Sequence, residues 1–113
     1  MYDDDRLPTD LWVTAHVRQC GARGIPVYVA HKGAFASGTV MVKIVIPGQG
    51  CKLLNQTRDM DGNTAWMSIF DDDLVEEKRA DDYTKRAISR DPDVWVIEVE
   101  DKEGQNPFEG KVI

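Results

Sequence analysis

The stretch TVMVKIVIPGQGCKLLNQTR, residues 39–58, decides how this chain folds. Residues 39–46 are almost continuously apolar and rich in β-branched side chains, the pattern of a strand covered on both faces. PGQG (47–50) is a turn by composition. Residues 51–58 form a second strand-like run, and DMDGN (59–63) leads from it into a third, TAWMSIF (64–70). The Asp-Gly pair between two such runs is a hairpin signal. Upstream, IPVYVAH (25–31) is another β-rich run, joined to the central one through GAFASG (33–38).

Helices flank this series. Pro8, Thr9 and Asp10 mark a helix start, and Gly21 and Gly24 mark its stop near Ala22. Its apolar stripe is Trp12, Val13, Val17 and Cys20 with His16 among them. Leu11, Ala15 and Ala22 lie on the other side, so cover on more than one face is expected. Asp71, Asp72 and Asp73 are placed to open a second helix running to about Ser89, which Pro92 ends. VWVIEVE (94–100) is a last strand.

The expectation is therefore an α+β domain in the order helix, four strands, helix, strand. It has one mostly antiparallel or mixed sheet packed by two helices, with a three-layer α/β/α sandwich as the alternative. At 113 residues the chain fits one domain, residues 1–113, with 1–7 and 103–113 expected as loose tails. The start has no basic or apolar leader segment, and no apolar run approaches the roughly 18 residues a membrane span needs. A cytoplasmic location is expected, with Cys20 and Cys51 reduced and buried.

The net charge of −6 argues against nucleic acid as a partner. Its distribution is uneven. Between Leu11 and Arg58 there is no acidic residue, while Arg18, Arg23, Lys32, Lys43, Lys52 and Arg58 fall there. From Asp59 onward there are 16 acids against seven bases. Either the halves interleave and neutralise each other, or the six cations make one anion-binding face.

DPDVWVIEVEDK (91–102) echoes the Pro-Asp and Glu-x-Lys signature of a metal-dependent nuclease superfamily, whose core has a similar element order. Asp93, Glu100 and Lys102 supply the letters. On one strand, however, Asp93 and Glu100 lie about 23 Å apart, at about 3.3 Å per residue. A metal ion with oxygen ligands at about 2 Å cannot be shared across that gap. Glu98 and Glu100 remain a same-face pair, which either receives a cation or is the solvated end of the strand.

The remaining chemical signals are incomplete. GAFASGT (33–39) lacks the lysine and the following helix of a phosphate loop. DMDGN lacks the first and last ligands of a calcium loop. His16 and Cys20 share a helix face, but His31 and Cys51 add no recognised zinc spacing and no complete nucleophile set. Trp12, Trp66 and Trp95 read as core by default. Phe35, on a loop, reads as a lid over the core or a contact, and Phe35 and Trp66 are the candidates for meeting a partner.

LWVTAHVRQ (11–19), SGTVMVKI (37–44), DGNTAW (61–66) and above all DPDVWVIEVED (91–101) together resemble domain-of-unknown-function family 1491. The likeness covers nearly the whole chain. It implies a compact, single-domain, cytoplasmic bacterial protein, and it implies no catalytic residue, cofactor or substrate.

The leading functional expectation is a non-catalytic cytoplasmic domain for protein interaction or self-association, with no cofactor, and with sheet edges offering a route to a homodimer. The alternatives are anion or nucleic-acid binding through the basic segment 11–58, and a metal-dependent hydrolase using Glu98, Glu100 or the Asp59–Asp61 turn.

Overall fold

The computed structural model describes residues 7–113. Its elements are α1 (Thr9–Ala22), β1 (Val27–His31), β2 (Val40–Ile46), β3 (Gly50–Arg58), β4 (Thr64–Ser68), α2 (Glu77–Arg90), β5 (Trp95–Glu100) and β6 (Lys111–Val112). They make an α+β fold with two helices and one mixed six-stranded sheet in the order β1-β5-β2-β3-β4-β6. β2, β3 and β4 form the antiparallel meander. β5 returns after α2 to lie between β1 and β2, antiparallel to the first and parallel to the second.

Strand alternation assigns the two faces. Val40, Val42, Ile44, Leu54, Trp66, Trp95, Ile97 and Val99 point one way and pack with Val13 and Cys20 of α1. Met41, Leu53, Val94 and Val96 point the other way and pack with Ala87 of α2, beside a smaller cluster of Cys51, Val75 and Ala80. The helices thus cover opposite faces, which is the three-layer arrangement. β2, buried along nearly its whole length, is its centre.

Three expectations need correction. The strand count is six, because the 103–113 segment adds β6 parallel to β4. That segment also buries Phe108 in the α1-side core. The tail expected at 1–7 lies outside the described residues apart from Leu7. Second, α2 begins at Glu77. The acidic run at 71–73 precedes a bridge in which Val75 and Cys51 exchange both backbone hydrogen bonds at 2.9 Å, and the helix starts only after it. Pairing the backbone of Val75 with the start of β3, which β4 leaves unpaired, wins over early helix nucleation. Third, α1 is packed on one side only, and Leu11 on the other stays 48% exposed.

Candidate functional site

The DPDVW motif is a structural corner. Asp91 Oδ1 accepts the Asp93 amide at 3.1 Å, closing the turn from α2. The GAFASG loop wraps around the next residues. Asp93 O accepts the Ala34 amide, Trp95 Nε1 donates to Ala34 O at 2.8 Å, and the Trp95 amide donates to Thr39 O. A ring nitrogen of His31, Nδ1, lies 2.8 Å from Val94 O. The GAFASG segment is therefore a packing clamp, and no helix follows it. β5 runs unbroken, which keeps Asp93 and Glu100 at its opposite ends.

Glu98 belongs to a charge cluster that its sequence neighbours do not reveal. Lys43 of β2 is only 4% exposed. Its Nζ donates to Glu77 Oε2 at 2.8 Å and to Asp81 Oδ1 at 2.7 Å, both on α2, and lies 3.3 Å from Glu98 Oε1. Burial alone would lower the Lys43 pKa, but hydrogen bonds to Asp81 and Glu77 and the charge of Glu98 outweigh it and raise it. The ammonium is held protonated, the opposite of a nucleophilic lysine. The Tyr28 hydroxyl is likewise pushed up, chiefly by the neighbouring Glu98 carboxylate. Glu98 has thus found its cation inside the fold, and Glu100 is exposed.

The histidines and thiols are dispersed. Cys20 is buried under α1 and Cys51 on the α2 side, and burial raises both thiols. His16 stacks on Trp12 with centroids 4.0 Å apart. Among the described residues, no group of three metal-binding side chains converges. DMDGN is a turn in which Asp59 Oδ1 accepts the amides of Asp61 and Asn63, each at 2.9 Å. Trp66 is fully buried and its Nε1 donates to Glu109 O at 2.8 Å, so its indole packs in the core instead of meeting a partner. Phe35 is 53% exposed and is not a lid.

The six cations of the acid-free stretch do not make one face. Lys43 is neutralised on the α2 side. Lys52 Nζ donates to Gly104 O at 3.2 Å and Arg58 Nη1 to Gly62 O at 2.7 Å. Arg23 caps the end of α1. Arg18 and Lys32, however, border one cavity of about 390 Å³ between α1 and β1. Its walls are Val13, Thr14 and Val17 of α1, Val29 of β1 and Trp95, with Asp10 at one end. A larger polar groove of about 760 Å³ lies between the start of α1 and the β3–β4 turn.

β1 forms an edge of the sheet beside that cavity. Among the described residues it pairs with β5 alone, and Tyr28 and Val29 are 56% and 38% exposed. The Glu100 amide donates to Pro26 O, so Pro26–Glu100 and then Tyr28–Glu98 are the hydrogen-bonded pairs of the ladder. The N–H and C=O of Val27 and Val29 therefore point outward. Beyond Val29 a bulge shifts the register toward His31. Sequence reading missed this edge because strand order is not written in any one strand. Its only local signal was an uncharged β-rich run, VYVA, following a proline.

A family model described as "Protein of unknown function (DUF1491)" matches residues 7–109. The crystal structure of a DUF1491 family protein from Caulobacter crescentus CB15 is similar, with 35% identity over 96% of this chain and 100% of that one, and a TM-score of 0.84. The NMR structure of a DUF1491 family protein from the same organism gives 35% identity over 95% and 96%, with a TM-score of 0.80. The solution structure of protein Atu0922 from A. tumefaciens shares the fold at 24% identity over 85% and 86%, with a TM-score of 0.70. No curated protein matches the chain. Among the described residues, no helix is long and apolar enough to cross a membrane. With matches of this length and identity, the chain belongs to the DUF1491 family of proteins of unknown function.

Proposed function

We propose that this domain is a non-catalytic interaction module that takes up an extended segment of another protein along β1. The observation that carries this reading is the outward-facing backbone of Val27 and Val29 on an uncharged edge strand. Such an edge offers main-chain hydrogen bonds to an incoming strand, and natural sheets usually blunt it with charge or proline. Among the described residues, the only blunting devices are the preceding Pro26 and the bulge beyond Val29. The chemistry of the interior agrees. Lys43 is locked as an ammonium, both thiols are raised by burial, and Glu98 is held by Lys43.

Val29→Pro removes one outward N–H at a position where an edge strand tolerates proline. Capture from native lysate with the wild-type domain should retain a protein that Val29→Pro loses, at an unchanged circular-dichroism spectrum. On adding the captured protein back, hydrogen exchange should slow at the Val27 and Val29 amides. Capture that is indifferent to Val29→Pro, or protection elsewhere only, overturns the reading.

A further inference from the structure

We infer that the cavity between α1 and β1 selects the incoming segment by an apolar residue with acids two positions to either side. This rests on strand addition at β1 and names what the added strand carries. Side chains opposite one another in a ladder share a face. Val29 points to the α1 side, as its register partner Ile97 does. A residue placed against Val29 on the open side therefore projects into the space walled by Val13, Val17 and the Trp95 indole. The groove of about 390 Å³ is largely apolar, so it favours an apolar side chain over a polar one at that position and has room for its flanking residues.

The rim adds a charge requirement. Arg18 and Lys32 are both exposed and make no ion pair with any described residue, and Asp10 is the one carboxylate among the described residues that line the cavity. The rim is thus net positive on a chain whose total charge is −6. Apart from Asp10 and Trp95, every wall and rim residue comes from the acid-free stretch Leu11–Arg58. That stretch makes α1 and β1, and its lack of acids keeps both sides of the groove receptive to an anionic ligand. Strand geometry then fixes the spacing. Residues at i and i±2 share a face, so acids meet Arg18 and Lys32 only when two positions from the apolar residue. Acids at i±1 point to the other face, where Glu98 lies beside Tyr28.

The test uses fluorescein-labelled peptides and anisotropy with the intact domain. The core sequence is Glu-Thr-Val-Thr-Glu. Its comparators are Lys-Thr-Val-Thr-Lys, Glu-Thr-Ser-Thr-Glu and Thr-Glu-Val-Glu-Thr. The first should bind at least about tenfold tighter than each comparator and weaken as salt rises. The double variant Arg18→Glu/Lys32→Glu should reverse the order of the first two. Val29→Pro, or Val27→Pro if that variant fails to fold, removes an outward N–H and should abolish binding of all four. Equal binding of the serine peptide, an order unmoved by the charge reversal, or no binding of the first peptide overturns the inference. If Val29→Pro abolishes binding while the peptides are not discriminated, strand addition stands and the selection rule falls. If Val29→Pro changes nothing, both fall. A dimer in light scattering that Val29→Pro splits makes a second copy the occupant and also overturns it.

Discussion

Lys43 and Glu98 are register partners on the parallel strands β2 and β5, and Lys43 Nζ lies 3.3 Å from Glu98 Oε1. The same ammonium reaches Glu77 and Asp81 on α2, so one side chain ties two central strands to the helix above them. Lys43→Met leaves three carboxylates converging without their cation. Breaking a buried pair costs about 3–5 kcal/mol, but Glu77 and Asp81 are about half exposed and water can take over part of the role. Urea unfolding should show a loss of about 1–3 kcal/mol for Lys43→Met. Glu98→Gln, which leaves Lys43 two carboxylates, should cost less. A Lys43→Met variant as stable as wild type would show that methionine packing offsets the lost pair.

The raised Lys43 pKa sets an alkaline limit. Its folded value lies above the ordinary 10.5, so folding favours the protonated lysine. This contribution is fully present below about pH 10.5 and is lost as pH rises through the folded value. The unfolding free energy of wild type minus that of Lys43→Met should therefore stay flat from neutrality to about pH 10 and shrink above it. The subtraction cancels groups remote from Lys43, while Tyr28 and Cys51, which feel its charge, remain in the difference. A difference that grows with alkalinity would contradict the assigned direction.

Phe108 packs 6.0 Å from Trp12 and 6.4 Å from Trp66 between ring centroids and is 3% exposed. Emptying such a site costs about 3–5 kcal/mol, so Phe108→Ala should lower stability by roughly 3 kcal/mol. Removing residues 107–113 also removes the acceptor of the Trp66 indole and the β6 pairing with β4. Tryptophan emission should shift to the red in that truncation, because Trp66 is otherwise wholly shielded. Unchanged emission and stability would mean that the tail does not hold the α1 face closed.

What was legible in the sequence follows from how local each cause is. α1 ends where glycine and proline punctuate it. The strands at 40–46, 50–58 and 64–68 stand out because β-branched runs and an Asp-Gly turn are local signals. The start of α2 misleads because an acidic triplet looks like a cap, whereas the deciding partner, Cys51, lies more than 20 residues upstream. β6 is two residues long, too short for any periodicity, so the segment reads as a loose tail. The Glu98–Glu100 pair reads as either a cation site or a solvated strand end, because Lys43 becomes a neighbour of Glu98 only once β5 is known to lie beside β2. The same holds for the α1–β1 cavity, whose floor includes Trp95 from the far end of the chain.

Gly33 and Gly38 approach the Asp93 carbonyl so closely that neither position has room for a side chain. A Cβ at Gly33 would lie 2.1 Å from Asp93 O and one at Gly38 2.3 Å from it, with Gly38 also at φ +126°. The obstacle is backbone, which cannot swing aside, and the loop it displaces supplies the acceptor for the Trp95 indole. Gly33→Ala and Gly38→Ala should each cost about 2–4 kcal/mol through this clash and, at Gly38, backbone strain. Gly48 is the control: its φ is +77° but nothing lies within 4 Å, so Gly48→Ala pays strain alone, about 1 kcal/mol. Thermal unfolding should rank the three with Gly48→Ala clearly the mildest. Because Trp95 also floors the α1–β1 cavity, the two clamp variants should weaken peptide binding there even at temperatures where they remain folded, whereas Gly48→Ala should not. If all three variants melt alike, the clamp around Asp93 is not what positions Trp95.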